Sequence, residues 1–361
     1  MDMPLLNRRE WLAMSAAVLT AAPAAARPAG GERIRLSLNE NAYGPSPQVA
    51  PAIARATTGI ERYVDQAEVD TLARQIATLE GVAPEQVVVG EVLAPLGAYL
   101  ARQRQGGGIV YSAPGYTELV DSAAPLGGVA VPVPLDDRLE NDLPALARAI
   151  GARTLAVSLV NPHNPSGAVG DAAALHRFIA DAAARTLVVV DEAYLEYDDF
   201  AARSAVRHVR EGRNVLVFRT LAKIYGLAGL PIGYALAPAS LADGLRKTGI
   251  GAPHSLSRPA LAAAAAALAD QRHVASVRAA VVSERQRLTA ILDERGLRHS
   301  DSRANFVFFA PPDPQRYRTA FTAAGIEIAR AFPPLDGWIR ITIGQRSEND
   351  RVAAVLRQMP A

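Results

Sequence analysis

The stretch TLVVVDEAY, residues 186–194, decides the fold class of this chain. A short apolar, β-branched run that ends on an acidic residue is typical of a strand buried on both faces of a parallel sheet. The same pattern occurs in QVVVG, GGIVYS, VAVPVPL, TLAVSLV and NVLVFRT. Amphipathic helical patterns such as DAAALHRFIADAAAR lie between these runs. The sequence therefore predicts an α/β domain with a mostly parallel sheet flanked by helices.

The length and the change of pattern along the chain predict two domains. The chain has 361 residues, half of them hydrophobic, which suggests a large domain with a smaller companion. Beyond residue 250 the pattern changes to an alanine-rich helical stretch followed by ANFVFFA and GWIRITIG. We predict an export signal (1–30), an N-terminal arm that joins the small domain (31–60), a large domain (61–250) and a small α+β domain (251–361).

The N-terminus has the order of a secretory signal. In NRREWLAMSAAVLTAAPAAARPAG, residues 7–30, paired arginines precede an apolar run and an Ala-x-Ala-like cleavage site. The pair Arg8 and Arg9 is similar to a twin-arginine export signal. The alternatives are a membrane anchor or a disordered tail, but the run is short and alanine-rich for a membrane span. We expect export to the periplasm, with no membrane association once the signal is removed.

The composition excludes several classes of site. The chain contains no cysteine, so thiolate nucleophiles and cysteine metal sites are excluded. Its six histidines lie far apart, without the spacing of a zinc site, and we predict no metal. A net charge of +2 without a long basic run argues against a nucleic-acid partner.

Lysine is scarce in this chain, and one lysine lies in a distinctive place. Lys223 and Lys247 are the two lysines among 38 basic residues, and Lys223 follows the predicted strand NVLVFRT. A guanidinium stays protonated, whereas a lysine amine can lose its proton and bond to a carbonyl carbon. The plainer interpretation is a chance lysine that extends to solvent.

Polar side chains follow three of the predicted strands. Asp191 and Tyr194 follow one strand, Asn164 lies in NPHNPSG after another, and Lys223 follows a third. The carboxyl ends of parallel strands meet at one edge of a sheet, where ligands bind. An acid, a phenol, an amide and an amine are therefore expected at one site.

The motifs NPHNPSG, DEAY, RTLAKIYGLAGLPIGY and WIRITIG occur in that order, after LNENAYGPSP and RYVD. Together they resemble the fold-type I pyridoxal-phosphate enzymes, most closely the histidinol-phosphate aminotransferase family. The resemblance covers essentially the whole chain after the predicted signal. It implies that the large domain binds pyridoxal 5′-phosphate and that the chain forms a homodimer with shared active sites.

The resemblance also implies roles for the cofactor-binding residues. Lys223 would hold the cofactor covalently and act as the catalytic base, and Asp191 would face the pyridine nitrogen. Asn164 and Tyr194 would hydrogen-bond the phenolic oxygen of the ring. Tyr63, in RYVD, would reach the cofactor phosphate of the neighbouring subunit.

Three residues are candidates for substrate binding. Arg340 would bind the substrate α-carboxylate in a bidentate manner. Arg330, in IARAFPP, matches the arginine that the family uses for the distal phosphate of its substrate, and Tyr43 lies in the arm motif. The plainer interpretations are an exposed strand charge for Arg340 and a rim arginine for Arg330.

The sequence departs from the family where the cofactor phosphate is held. The loop that normally carries a hydroxyl reads GEVLAPLG, which leaves the backbone amides of Leu93 and Ala94 at a predicted helix N-terminus. Ala222 replaces the family's serine, and Pro231 replaces its arginine.

Leu119 stands where an aromatic residue that stacks on the cofactor ring is expected. Arg258 and Arg219 are the candidates to compensate for the missing phosphate ligands. We therefore expect an unusual phosphate site.

The expected activity is transfer of an amino group from a small amino acid to a 2-oxo acid. The alternatives are racemisation, elimination or O2-dependent oxidation with the same cofactor, or a non-catalytic protein that binds the cofactor or an amino acid. The pairing of Lys223 with Asp191 argues against a mere binder, because binding needs neither side chain.

Overall fold

A computed structural model describes residues 33–360, so the predicted export signal and residues 31 and 32 of the arm lie outside the described residues. The strands are β1 (Ile34–Leu36), β2 (Val87–Val89), β3 (Gly108–Ala113), β4 (Val129–Pro134), β5 (Thr154–Val160), β6 (Leu187–Asp191), β7 (Val215–Thr220), β8 (Gly233–Leu236), β9 (Arg298–His299), β10 (Phe306–Ala310), β11 (Ile326–Ile328) and β12 (Ile339–Thr342).

The α-helices of the described residues are α1 (Val49–Ala56), α2 (Gln66–Glu80), α3 (Leu93–Gln103), α4 (Glu118–Ala123), α5 (Leu143–Ala149), α6 (Ala172–Ala183), α7 (Phe200–Arg203), α8 (Val206–Arg210), α9 (Ala239–Lys247), α10 (Arg258–Ala269), α11 (Gln271–Glu294), α12 (Pro314–Ala323) and α13 (Arg346–Gln358). Short 3-10 helices lie at Pro84–Gln86, Ala124–Leu126, Leu195–Tyr197 and Pro253–Ser255.

A seven-stranded sheet forms the centre of the fold, in the order β2-β8-β7-β6-β5-β3-β4. β8 runs antiparallel to both of its neighbours, and the other neighbouring strands pair in parallel. The predicted α/β class and mostly parallel sheet are confirmed. The carboxyl ends of β5, β6 and β7 lie side by side at one edge, which is where a ligand site is expected.

Most of the apolar runs become strands that are covered on both faces, but the prediction is wrong for β4, which lies at the edge of the sheet and has one buried residue, Val133. All five residues of β6 are buried, and β5 and β7 are buried over most of their length. The six runs singled out in the sequence correspond to β2 to β7. The sequence pattern does not predict β1, β8, β9 and β11, because none of these short strands contains a continuous β-branched run like that of β2.

Two smaller sheets lie in the C-terminal part of the described chain. One is antiparallel, in the order β12-β10-β9, and corresponds to GWIRITIG and ANFVFFA. In the other, β1 of the arm pairs in parallel with β11, with Ile34 opposite Ile326. The arm thus contacts the region predicted as the small domain, while the boundary near residue 250 stays a prediction.

Local interactions fix where the helices begin and end, as α2 shows. α2 begins after Asp65, whose side chain accepts a hydrogen bond from the amide of Glu68 in a capping box. It ends at Gly81, whose φ of 62° is the left-handed conformation that glycine adopts readily. The alanine-rich run LAAAAAALAD lies in α10, as predicted. Within residues 33–360, no helix is long and apolar enough to cross a membrane.

Candidate active site

An open cavity of about 450 Å³ lies at the carboxyl edge of the large sheet. Its lining includes residues that follow β2, β3, β5, β6 and β7, together with the arm and β12. The structure brings six of the predicted site residues into this cavity: Lys223, Asp191, Tyr194, Asn164, Arg340 and Arg330. Loops from distant parts of the sequence therefore converge as the strand-end pattern predicts.

Lys223 lies in the turn after β7, half-buried, with its amine in the cavity. Nζ donates to the carbonyl oxygen of Leu38 at 3.3 Å and lies 5.8 Å from the centroid of the Tyr194 ring. The turn packs tightly on the arm, because a Cβ on Gly226 would lie 2.6 Å from the nitrogen of Pro45. The arm thus covers the lysine and contributes to the same cavity.

Asp191 ends β6 and is buried, with 4% of its surface exposed. Its Oδ1 accepts a hydrogen bond from the amide of Ala193 at 2.9 Å. Burial raises the pKa of Asp191 to about 7, and the nearby charge of Lys223 opposes that rise. A carboxylate at this place is therefore costly unless a cation lies beside it.

Asn164, Tyr194 and the arm form one hydrogen-bonded group. The Tyr194 hydroxyl accepts from Nδ2 of Asn39 at 3.0 Å and lies 3.5 Å from Nδ2 of Asn164. The Tyr194 ring meets Phe306 edge-on, with centroids 5.4 Å apart. Oδ1 of Asn164 accepts a short hydrogen bond from Nη1 of Arg340.

Arg340 lies on β12, buried, and faces the cavity. Nη2 donates to the carbonyl oxygen of Ser37 at 3.1 Å, and the guanidinium lies over the ring of Phe332 at 4.8 Å. Burial lowers the pKa of Arg340 to about 10, so the side chain stays cationic at neutral pH. Its Nε is buried without a hydrogen-bond partner among the described residues. A buried cation with a free donor suits a carboxylate ligand.

Arg330 lies at the exposed rim of the same cavity. Nη1 donates to the carbonyl oxygen of Ala331 at 2.9 Å, and the guanidinium lies 5.0 Å from the centroid of the Phe332 ring. The exposed rim leaves room for a larger ligand group beside Arg330 than beside the buried Arg340.

Four predicted residues lie outside the lining of this cavity: Tyr63, Tyr43, Leu93 and Ala94. Tyr63 is 83% exposed, and its ring meets His254 edge-on at 5.1 Å. Tyr43 packs against the core near Glu284 and Glu348. Leu93 and Ala94 begin α3 as expected, with Pro95 in its first turn, but the Leu93 side chain is buried. The assigned roles of these residues stay predictions.

Neither arginine proposed to compensate at the phosphate site lies in the cavity. Arg219 is buried, with Nη2 2.8 Å from Oε2 of Glu192 and Nη1 3.3 Å from Oε1 of Glu80. Arg258 binds Glu68 through Nε at 2.7 Å and donates to the backbone carbonyl of Tyr63 at 2.9 Å. Both guanidinium groups bind other residues, so the prediction that one of them replaces the missing phosphate ligands within its own chain is wrong.

Several residues that the sequence did not single out line the cavity. Asn39 holds the Tyr194 hydroxyl, and Tyr116 donates to Oε2 of Glu118 at 2.5 Å. Leu119, the predicted replacement for a stacking ring, is buried and does not line the cavity, whereas Tyr116 does. Glu91 also lines it. The position of Tyr116, three residues before Leu119 in PGYTEL, was the available signal.

The residues present fit one end of pyridoxal 5′-phosphate and not the other. The amine, the buried acid, and the phenol and amide donors suit the aldehyde, ring nitrogen and phenolic oxygen of the cofactor. At the other end the cavity is lined by Glu91, Thr220, Ala222 and Pro231, and the Thr220 hydroxyl donates to Oε1 of Glu91 at 3.4 Å. A carboxylate, a methyl group and a proline supply no side-chain donor for a phosphate.

This α/β fold, with a lysine and a buried aspartate at adjacent strand ends, defines a fold-type I enzyme. The family model for aminotransferase class I and II matches residues 32–356. The chain therefore belongs to the class I and II aminotransferases.

Three relatives illustrate this membership. The chain is 32% identical over 337 residues to a histidinol-phosphate aminotransferase of Lactiplantibacillus plantarum, covering 91% of this chain and 92% of that protein. It is 35% identical over 333 residues to an aromatic amino acid aminotransferase of Streptomyces avermitilis, covering 91% and 90%. It also matches the crystal structure of a histidinol-phosphate aminotransferase from Sinorhizobium meliloti in complex with pyridoxal 5′-phosphate. That match has a TM-score of 0.81 and 33% identity, and it covers 90% of this chain and 91% of that one.

Proposed function

We propose that the amino donor is a small amino acid and that Lys223, Asp191 and Arg340 carry the reaction. The chain is a pyridoxal-phosphate-dependent aminotransferase, and its substrates are an amino acid and a 2-oxo acid. The observation that carries the proposed roles is the convergence of these three side chains on one cavity. When bound, the cofactor supplies the aldehyde that takes up the amino group and the ring that accepts an electron pair.

The proposed role of Lys223 rests on its amine, which can hold the cofactor covalently and then carry the proton at the substrate Cα. Asp191 would keep the ring nitrogen of the cofactor protonated. Because burial disfavours the isolated carboxylate, a protonated ring nitrogen beside it stabilises both charges. Asn164 and Tyr194 would donate hydrogen bonds to the phenolic oxygen of the ring.

Arg340 orients the substrate by its α-carboxylate in this proposal. Its Nε is a buried donor without a partner among the described residues, and the rings of Phe306 and Phe332 exclude water around the guanidinium. Arg330, at the rim, faces the distal part of the substrate. Tyr43 is kept as a further substrate contact only by the resemblance.

We expect Arg340→Lys to raise the KM for the amino donor roughly 10- to 100-fold, the factor that one hydrogen bond to a charged group contributes. Lysine keeps the charge and loses the planar pair of donors that a carboxylate accepts. Steady-state kinetics measure this change, with Arg330→Lys as the matched control. If Arg330→Lys raises the KM strongly and Arg340→Lys leaves it unchanged, the substrate carboxylate binds to the rim arginine and not to Arg340.

A spectrophotometric screen of amino donors, with and without 2-oxo acids, tests the proposed function. An amino donor alone should change the cofactor absorbance, and a 2-oxo acid should restore it. Continued turnover of an amino acid without any oxo acid would instead favour racemisation, elimination or oxidation.

We further propose that the active form is a homodimer in which Tyr63 reaches the partner's cofactor phosphate. The support is that Tyr63 is highly exposed and does not line the cavity of its own chain, and that Ile60, three residues earlier, is exposed as well. Exposed aromatic and aliphatic side chains that lie together are typical of interaction surfaces.

Export through the twin-arginine route is also a proposal, since Arg8 and Arg9 lie outside the described residues. We expect a double Arg8→Lys, Arg9→Lys variant to stay in the cytoplasm, as followed by cell fractionation. Arg33→Lys, beyond the predicted export signal of residues 1–30, is the matched control and should be exported. Normal export of the double variant would contradict the assignment.

A further inference from the structure

Glu91 lines the cavity together with Ala222 and Pro231, which replace the serine and arginine that the family uses for the cofactor phosphate. Oε1 of Glu91 accepts a hydrogen bond from the Thr220 hydroxyl at 3.4 Å, and that hydroxyl oxygen accepts from the amide of Ala222 at 3.1 Å. The carboxylate is therefore separated by one side chain from the position where the family has a serine. Glu91 is an exposed residue that lines the cavity.

A second carboxylate lies at this end of the cavity. Glu118 lines the same cavity, half-buried, and burial together with the charge of Glu118 raises the pKa of Glu91. Lys223 is the cation that opposes this rise, and it lies toward the aldehyde end. Two acids thus face a region where a dianionic phosphate would have to lie, and like charges at short range repel.

The two cavity-lining arginines of the described residues do not compensate. Arg340 is bound to Asn164 and to the carbonyl of Ser37, on the side of β12 and the arm. Arg330 donates to its neighbouring carbonyl and lies over Phe332. Pro231 has neither a side-chain donor nor an amide N–H, and Ala222 has only its amide, which is already bonded to Thr220.

We propose that this cavity binds unphosphorylated pyridoxal at least as tightly as pyridoxal 5′-phosphate, because Glu91 can accept a hydrogen bond from the 5′-hydroxyl group and repels a phosphate in the same place. The inference rests on the proposed role of Lys223 as the residue that bonds to the aldehyde. The inference concerns only the end of the cavity near Glu91 and Ala222. It can therefore fail without affecting the proposed role of Asp191 at the other end. In the family pattern, a serine and an arginine occupy the positions of Ala222 and Pro231.

A competition between the two vitamers tests this inference without using catalytic turnover. The full-length apo-protein is mixed with equal concentrations of pyridoxal and pyridoxal 5′-phosphate and then treated with borohydride. Nζ of Lys223 adds to the aldehyde carbon with loss of water, and hydride reduces the resulting carbon–nitrogen double bond to a stable amine. The two products differ by the mass of one phosphate group, so intact-mass spectrometry gives their ratio.

We expect the unphosphorylated product to equal or exceed the phosphorylated one in the wild-type chain. A combined Glu91→Gln, Ala222→Ser variant removes the charge and adds a hydroxyl, and it should shift the ratio toward the phosphorylated product about tenfold or more. Glu85→Gln is the matched control, because Glu85 is an exposed acid outside the cavity lining. Its ratio should equal that of the wild type.

A clear excess of the phosphorylated product in the wild type overturns the inference, and so does a ratio that the combined variant leaves unchanged. In either case the proposed function survives, provided that the product forms on Lys223. If neither vitamer attaches to Lys223, the proposed role of Lys223 fails, and the inference fails with it. Circular dichroism of each variant confirms that the ratio is measured on folded protein.

Discussion

Lys223→Arg should fold normally and lose essentially all aminotransferase activity. Arginine keeps the positive charge beside Leu38 and Tyr194, but a guanidinium stays protonated and does not bond to an aldehyde. The same side chain therefore loses covalent attachment and proton transfer together, and we expect kcat to fall about 10⁴-fold, the upper end of the range for loss of a general base. Initial rates with saturating donor and acceptor measure it.

Lys247→Arg is the matched control for this change. Lys247 lies at the end of α9 with 75% of its side chain exposed, and its Nζ lies 2.6 Å from Oδ2 of Asp243 one turn earlier. An exposed pair of this kind contributes little to stability, and arginine can replace it. Normal activity in the Lys223 variant, or loss of activity in the Lys247 variant, would contradict the site as described.

Asp191→Asn should lower kcat roughly 10³-fold without preventing covalent attachment of the cofactor. Two unit charges about 4 Å apart at an effective dielectric near 20 interact by roughly 4 kcal/mol, which corresponds to about three orders of magnitude in rate. Asparagine has the same shape, but it cannot hold a neighbouring ring nitrogen protonated. Asp191→Glu keeps the charge and should retain more activity, and equal loss in both variants would indicate a packing effect.

The same substitution has a signature in the pH dependence of stability. The pKa of Asp191 in the folded apo-protein is about 7, above the usual value for an aspartate. The folded state therefore favours the protonated form, and this contribution is complete below pH 4 and is lost as pH rises through 7. Relative to Asp191→Asn, the wild-type free energy of unfolding should fall by a few kcal/mol across that range. Urea titrations at several pH values give the free energy of unfolding of both proteins. If the two values change with pH in parallel, burial does not raise the pKa of Asp191.

The fold and the centre of the site follow from local sequence patterns. Buried runs such as TLVVVDEAY predict strands, and because parallel strands share an edge, Asp191, Asn164 and Lys223 are predicted to meet. Arg340 could be placed in the same cavity only through the resemblance, since β12 belongs to a separate sheet.

The parts that the sequence misses depend on contacts between distant segments. Asn39 holds a hydroxyl that lies 155 residues later in the chain, and no local pattern marks that pair. Glu91 was visible only as part of an altered loop, and its meaning required Thr220 and Ala222 to be placed beside it. Arg219 could be taken as a phosphate ligand until its burial against Glu80 and Glu192 was seen.

The most direct test of the proposed active site is to identify the residue to which the cofactor attaches. The wild-type protein is loaded with pyridoxal 5′-phosphate, reduced with borohydride and digested, and the modified peptide is sequenced by mass spectrometry. We expect a single modified residue, Lys223, in the peptide that follows Arg219. Modification at Lys247 or at the α-amino group, with Lys223 unmodified, would contradict the active site described above.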